Sequence, residues 1–150
     1  MKNKISKTFC VHPWINLMVS SPGTYSFCCV ASQDSLSQIT DDNKKLMHAS
    51  KNTPDEAWNA KSMRVVRKAM IDGVKLDACK VCWKQEDMGK ESYRERHNKE
   101  WKQRLGQQEI EKRVAYSLAN EYAVDTPPDY LDLRLGNLCN LKCRMCNLFN

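Results

Sequence analysis

Three cysteines near residue 140 are the side chains best suited to chemistry. The segment Cys139-Asn-Leu-Lys-Cys143-Arg-Met-Cys146 places three thiols within eight residues, so one loop can wrap a single inorganic cluster. A structural zinc ion needs four protein ligands, and no fourth Cys or His lies near this loop in the sequence. Three thiolates suit a four-iron cluster that keeps one iron open to a reactive ligand. The spacing predicts such a cluster, with a partial zinc knuckle as the alternative.

The residues before this loop are typical of a β-strand. Tyr130 to Leu135 alternate apolar and polar residues, and Gly136-Asn-Leu-Cys then opens the loop. In barrels of alternating strands and helices, chemistry takes place at the carboxyl ends of the strands. Strand, loop and Cys-x3-Cys-x2-Cys spacing together resemble the signature of the radical S-adenosylmethionine (radical SAM) enzymes.

That resemblance implies a role for each cysteine of the loop. Cys139, Cys143 and Cys146 would hold a [4Fe-4S] cluster whose open iron binds S-adenosylmethionine. An electron from a donor such as flavodoxin or ferredoxin would then cleave the sulfonium and give a 5'-deoxyadenosyl radical. Before the third cysteine, where the family commonly has an aromatic residue near the adenine, this chain has Met145, which can pack against the adenine instead. The rest of the loop would be shaped by Asn140, Leu141, Lys142 and Arg144.

A second group of cysteines is spread over the first 82 residues. Cys10, Gly23 and Cys28 are followed much later by Cys79-Lys-Val-Cys82. This order resembles the auxiliary-cluster domains called SPASM or twitch, which occur in many radical SAM enzymes. The resemblance implies an auxiliary [4Fe-4S] cluster held by Cys10, Cys28, Cys79 and Cys82. Residues 83–108 contain no further cysteine, so a single auxiliary cluster, the twitch arrangement, fits better than the full SPASM pattern.

The ligands of this second site are not settled by spacing. Four thiolates in this order suit zinc as well as iron–sulfur. Cys29 is interpreted as a small buried residue on the opposite strand face, with replacement of Cys28 as the alternative. His12, two residues from Cys10, is an alternative ligand. A closed four-thiolate cluster does not bind S-adenosylmethionine, so its expected roles are electron relay or structural support, and less often substrate ligation.

A hairpin and a helix must position these cysteines. Residues 14–19 and 25–30 predict two strands, joined by a type II turn at Pro22-Gly23. Residues 31–53 predict a polar surface loop that can include one helical turn. Thr53 as N-cap, Pro54 at the first helical position and Gly73 as the stop predict a helix over 54–72. Its expected buried stripe consists of Trp58, Met63, Val66 and Met70.

Further along the chain, the sequence predicts a short turn at 79–82 and a helical tract over 92–122. Ser92 and Glu95 form a capping box, and a phase shift near Gly106 predicts two helices or one bent helix. The Thr-Pro-Pro sequence within residues 125–129 predicts a linker.

Composition limits the class of protein. The chain has 150 residues, 41% hydrophobic residues and a formal net charge of +6. No apolar run approaches the roughly 18 residues of a membrane span. The basic N-terminus is followed by His12, Pro13 and Asn16, which make a poor signal peptide. We expect a soluble, cytoplasmic chain with reduced thiols and no membrane association. The lysines alternate with glutamates, so nucleic acid is not an expected partner.

Together these features predict an α+β fold. Residues 1–124 would form a twitch/SPASM-like auxiliary domain with a helical extension, 125–129 a linker, and 130–150 the start of a truncated radical SAM barrel. The strand at 130–135 is expected to find no partner within this chain, and residues 130–150 to be poorly ordered. Because the rest of the barrel is missing, we expect this chain alone to be inactive, as a fragment or as half of a split enzyme whose partner chain supplies the barrel. The alternative is a non-catalytic zinc-binding module that contacts RNA or a peptide.

Overall fold

The computed structural model describes residues 5–31 and 37–134. The predicted cluster loop, with Cys139, Cys143, Met145 and Cys146, lies outside the described residues. Over the described part, helices combine with a small three-stranded sheet, in agreement with the predicted α+β class. The elements are α1 (His12–Ile15), β1 (Asn16–Val19), β2 (Tyr25–Ser26), α2 (Pro54–Trp58), α3 (Lys61–Ile71), α4 (Lys80–Asp87), α5 (Tyr93–Leu105), α6 (Gln107–Ala119) and β3 (Tyr130–Leu133), with a 3₁₀ turn at Asp77–Cys79 leading into α4.

The predicted hairpin is present but shorter than expected. β1 pairs antiparallel with β2, with Met18 opposite Ser26, while α1 takes the first residues of the predicted first strand. The hydrogen-bonded turn also begins one residue earlier than the predicted type II turn, because the Gly23 amide donates to the Ser20 carbonyl at 2.7 Å. The Ser20 hydroxyl accepts from the Thr24 amide at 3.1 Å, which holds this earlier register.

The polar segment after the hairpin lies along the β2 edge. Isolated bridges join Ser26 to Gln38 and Thr24 to His48. No helix forms in its described part, residues 37–53, but one helical turn closes where the Asn52 amide donates to the His48 carbonyl at 2.9 Å. Ile39 and Met47 are buried and anchor the segment to the core. The loop thus completes the sheet edge that the two-residue β2 leaves open.

The helix predicted over 54–72 is broken in two. Its predicted N-cap is confirmed, since Thr53 and Glu56 form a capping box. The helix stops at Trp58 because arginine side chains take the carbonyls that helix amides would use. Arg67 donates to the Trp58 carbonyl at 2.8 Å, and Arg64 donates to the Asn59 carbonyl at 2.9 Å.

The predicted buried stripe of Trp58, Met63, Val66 and Met70 is confirmed, since each side chain is buried. Beside it lies Arg67, which is 0% exposed and has no carboxylate partner within the described residues. Its guanidinium donates to the Pro13, Trp58 and Tyr122 carbonyls and to the Asn59 amide oxygen, at 2.8 to 3.1 Å. Burial, followed by the nearby Arg64 charge, lowers its pKa to about 9. Arg67 therefore joins α1, α2, α3 and the residues after α6.

The second helical tract divides into α5 and α6 at Gly106, as predicted, and begins at the predicted Ser92–Glu95 capping box. α6 ends at Ala119 rather than 122, and Ser117 is buried in the core together with Ile110 and Val114. The Trp14 indole donates to the Ser117 hydroxyl at 3.2 Å, which explains the polar residue in the core. The predicted turn at 79–82 is in fact the start of α4, which the sequence analysis missed.

The strand near residue 130 forms, but the expectation that it has no partner within this chain is wrong. β3 pairs in parallel with β1, with Asn16 opposite Tyr130 and Val19 opposite Leu133. The residues before β3 are fixed to the helices: Asp129 pairs with Arg113, and the Trp58 indole donates to the Thr126 carbonyl at 2.7 Å. These contacts bring β3 to the edge of β1 that the hairpin leaves free.

Replacing Arg67 with methionine is expected to lower the free energy of unfolding by about 3 kcal/mol or more. The substitution leaves several buried carbonyls without a donor, and each unpaired group costs about 1–3 kcal/mol. Urea unfolding measures the effect, with Lys61→Met on the exposed face of α3 as the matched control. Equal stability of the two variants would contradict the role given to Arg67.

Replacing Gly23 with alanine is expected to cost about 3 kcal/mol of stability. Gly23 has φ +90°, and a Cβ there would lie 2.5 Å from the His48 ring. Gly89→Ala is the control, because Gly89 has φ +70° but nothing within 4 Å of the added carbon. Gly89→Ala should cost only about 1 kcal/mol for the left-handed backbone. Thermal or urea unfolding distinguishes the two, and equal losses would show that the His48 contact is unimportant.

Candidate functional site

Four cysteines from two distant segments line one small cavity. Cys10 precedes α1, Cys28 follows β2, Cys79 ends the 3₁₀ turn and Cys82 lies in the first turn of α4. All four are buried and none forms a disulfide. The structure thus brings together the four cysteines that the sequence predicted for one site.

The walls of this cavity are mainly apolar. The hairpin end contributes Phe27, Val30 and Ala31, and α5 contributes Tyr93 and Arg94 from the opposite side. Such a lining excludes water from the thiols and leaves Arg94 as the charged side chain that reaches them. The hairpin, the 3₁₀ turn with α4, and α5 are therefore the three parts of the fold that build the site.

Backbone amides donate toward three of the sulfurs. The His12 amide bonds to Cys10, and the Val30 amide lies 3.5 Å from the Cys28 sulfur. The first two amides of α5, those of Tyr93 and Arg94, bond to Cys82. N–H groups directed at sulfur stabilise a thiolate and, when a metal is bound, draw negative charge away from it.

Burial keeps these thiols protonated when no metal is bound. Burial first, and then the neighbouring thiols, raise the pKa of Cys10 to about 12 and the pKa of Cys79 to about 12. Burial also raises the pKa of Cys82. The amides and Arg94 do not offset this cost of burial, so the thiols would become thiolates through binding a cation.

Cys29 does not line the cavity. It is half-buried, and its sulfur lies 3.5 Å from the Tyr93 hydroxyl. A hydrogen bond with the Cys28 thiol, and then one with Tyr93, lowers the pKa of Cys29 to about 6 despite partial burial. The same bond raises the pKa of Cys28. β2 ends at Ser26, so the two cysteines do not alternate across a strand as predicted; they face different neighbours because the chain turns after β2.

The alternative ligand His12 also does not line the cavity. Its ring is 0% exposed and stacks with the rings of Tyr93 and His97 at centroid distances of 5.3 and 4.8 Å. Neither ring nitrogen has a hydrogen-bond partner in the described part of the chain. Burial, and then the adjacent His97, lowers the pKa of His12 to about 3, so the ring is neutral.

The sequence analysis missed Arg94 and Asn98 of α5. Arg94 donates to the Phe9 carbonyl at 2.7 Å and pairs with Glu86 of α4 at 2.7 Å. Asn98 bonds to the Phe9 carbonyl and the Val11 amide, on either side of Cys10. The capping box placed the start of α5 correctly, but no local pattern connected this helix with residues some 85 positions earlier.

The donor set of the cavity consists of sulfur alone. Four buried thiols with amide donors and one nearby cation match the surroundings of a cluster ligated by four thiolates. Among the described residues, no group of three or more His, Cys, Asp or Glu is arranged to hold a single metal ion.

Neither curated proteins nor solved structures gave a match. In the described parts of the chain, no helix has the length and apolar character to cross a membrane. Residues 10–83 match the family model SPASM, an iron-sulfur cluster-binding domain. The match begins at Cys10 and ends one residue after Cys82, so the segment that brings the four cysteines together is the one similar to an iron–sulfur cluster-binding domain.

Proposed function

We propose that Cys10, Cys28, Cys79 and Cys82 bind one auxiliary [4Fe-4S] cluster. The observation that carries this proposal is that all four buried thiols line one cavity within the SPASM-like segment. The full SPASM pattern has further cysteines, whereas residues 83–108 have none, which favours a single cluster in the twitch arrangement.

A cluster with four thiolate ligands would supply one-electron redox chemistry. The four thiols would hold all its metal positions and leave no iron open to S-adenosylmethionine. Phe27, Val30 and Ala31 keep solvent away, and the amides of Val30, Tyr93 and Arg94 bond to the ligand sulfurs. These residues suit a cluster that passes electrons or supports the fold.

We further propose that residues 130–150 begin a radical SAM core, with a second [4Fe-4S] cluster on Cys139, Cys143 and Cys146. Two observations support it: the Cys-x3-Cys-x2-Cys spacing, and the SPASM-like segment earlier in the chain. β3 precedes this loop and pairs in parallel, which is compatible with the first strand of a barrel. On this proposal the chain is part of a radical SAM enzyme supplied by an electron donor such as flavodoxin or ferredoxin.

Metal analysis tests both sites. After anaerobic reconstitution, the full chain should hold about eight iron and eight sulfide, four for each cluster. Cys79→Ala with Cys82→Ala should remove about half, and the triple alanine variant of Cys139, Cys143 and Cys146 the other half. Zinc without sulfide at the first site would contradict the auxiliary cluster and favour the zinc-binding module.

The same variants distinguish the cluster that binds S-adenosylmethionine from the auxiliary cluster, which does not. Adding S-adenosylmethionine to the reduced Cys79→Ala, Cys82→Ala chain should change the electron paramagnetic resonance (EPR) spectrum, because the remaining cluster has an open iron. The triple variant should show no change. A response from the triple variant instead would contradict the assignment of the open iron.

Single substitutions test the choice between the neighbouring cysteines. Cys28→Ser should lose most of the auxiliary iron, because Cys28 lines the cavity. Cys29→Ser should keep it, because Cys29 contacts Tyr93 outside the cavity. Both are measured as iron per chain in the triple-alanine background, where only the auxiliary site remains. Loss of iron from Cys29→Ser with retention by Cys28→Ser would reverse the assignment.

A further inference from the structure

Helix α5 contacts the surroundings of three of the four cavity cysteines. Its first two amides, those of Tyr93 and Arg94, donate to the Cys82 sulfur. The Arg94 side chain lines the cavity beside Cys10, Cys79 and Cys82. One turn later, Asn98 contacts the backbone around Cys10. The side chains of one helix thus converge on a site to which it contributes no ligand.

Arg94 is held rigidly at the cavity wall. Its guanidinium donates to Glu86 at 2.7 and 3.0 Å and to the Phe9 carbonyl at 2.7 Å, and it lies 4.8 Å over the Trp83 ring. The residue is only 8% exposed. A cation fixed in this way costs little reorganisation when negative charge appears in the cavity.

Glu86 faces the same region with the opposite sign. Its carboxylate pairs with Arg94 and accepts from the Ser92 hydroxyl at 2.6 Å. Arg94 and Glu86 therefore have opposite electrostatic effects on any charged group that the thiols bind. Removing Arg94 leaves the Glu86 charge uncompensated beside the cavity, and removing Glu86 has the reverse effect.

Asn98 holds the peptide groups on both sides of Cys10. Its amide nitrogen donates to the Phe9 carbonyl at 2.9 Å, and its amide oxygen accepts from the Val11 amide at 2.8 Å. With both flanking peptides fixed, the direction of the Cys10 side chain toward the cavity is fixed as well. The Asn98 side chain thus bonds to the backbone around Cys10 through one donor and one acceptor, as a neighbouring strand would.

We propose that α5 supports the auxiliary cluster without ligating it. Asn98 positions Cys10, and Arg94 balances the charge of the cluster against Glu86. This inference rests on the proposed function. A four-iron cluster with four thiolates carries about −2, and reduction adds one more negative charge. A fixed cation favours the reduced state and raises the reduction potential, and a fixed anion lowers it.

The experiment uses the full chain with Cys139, Cys143 and Cys146 replaced by alanine, so that only the auxiliary cluster is observed. Potentials are measured by EPR-monitored redox titration. Arg94→Gln should lower the potential, Glu86→Gln should raise it, and Arg94→Lys should stay close to the unsubstituted chain. Lys102→Gln, on the exposed side of the same helix, is the matched charge control and should leave the potential unchanged.

Asn98 is tested by cluster retention. Asn98→Ala should release iron to a chelator about 10-fold faster, the smaller of the effects typical for partners of metal ligands, with little change in potential. Asn98→Asp, which keeps the acceptor but loses the donor, should also release iron faster. It serves as the test if circular dichroism shows that the alanine variant does not fold.

Each measurement has an outcome that would overturn the role it tests. Equal potentials for Arg94→Gln and Glu86→Gln would overturn the charge-balancing role, and unchanged iron release from both Asn98 variants would overturn the positioning role. If the unsubstituted chain takes up neither iron nor sulfide, the proposed function itself fails and this inference fails with it. That outcome is distinct, since it appears before any residue of α5 is replaced.

Discussion

The Arg94 guanidinium joins the two parts of the chain that carry the cavity cysteines. It donates to the carbonyl of Phe9, the residue before Cys10. It also pairs with the carboxylate of Glu86 in α4, the helix whose first turn contains Cys82. Ser92, the N-cap of α5, bonds to the same carboxylate at 2.6 Å. The bond from Ser92 to Glu86, the Arg94–Glu86 ion pair and the bond from Arg94 to the Phe9 carbonyl form one connected network. Because these contacts are largely shielded from water, removing one partner leaves polar or charged groups without a hydrogen bond, which is costly.

The four cavity cysteines were predictable through the resemblance to the SPASM and twitch domains, because the features that carry this resemblance are local. A hairpin between Cys10 and Cys28 and a Cys-x2-Cys pair are features of short segments, and the capping boxes at Thr53 and Ser92 are equally local. Arg94 and Asn98 were not predictable in the same way. Their partners lie about 85 residues earlier, and neither spacing nor composition marks such a pair. They read as ordinary charged and polar residues of a solvated helix.

The differences between the predicted and the observed fold have the same origin. The break between α2 and α3 arises because Arg64 and Arg67 occupy carbonyls of residues 58 and 59, which a periodic pattern cannot show. β3 was recognised as a strand, but its pairing with β1 depends on an ion pair from Arg113 and an indole bond from Trp58. Tertiary contacts decided where these local elements end and what they pair with. As a result, β3, which precedes the second cysteine motif, lies beside the hairpin that leads into Cys28.

Anomalous diffraction at the iron edge tests the central claim most directly. Crystals of the full chain, reconstituted anaerobically with iron and sulfide, would be measured at the iron and zinc edges. The account predicts a four-iron cluster in the cavity, bonded to the sulfurs of Cys10, Cys28, Cys79 and Cys82, with no signal at the zinc edge there. A single zinc peak among these four sulfurs, or iron bound elsewhere while the cavity thiols remain unligated, would contradict it.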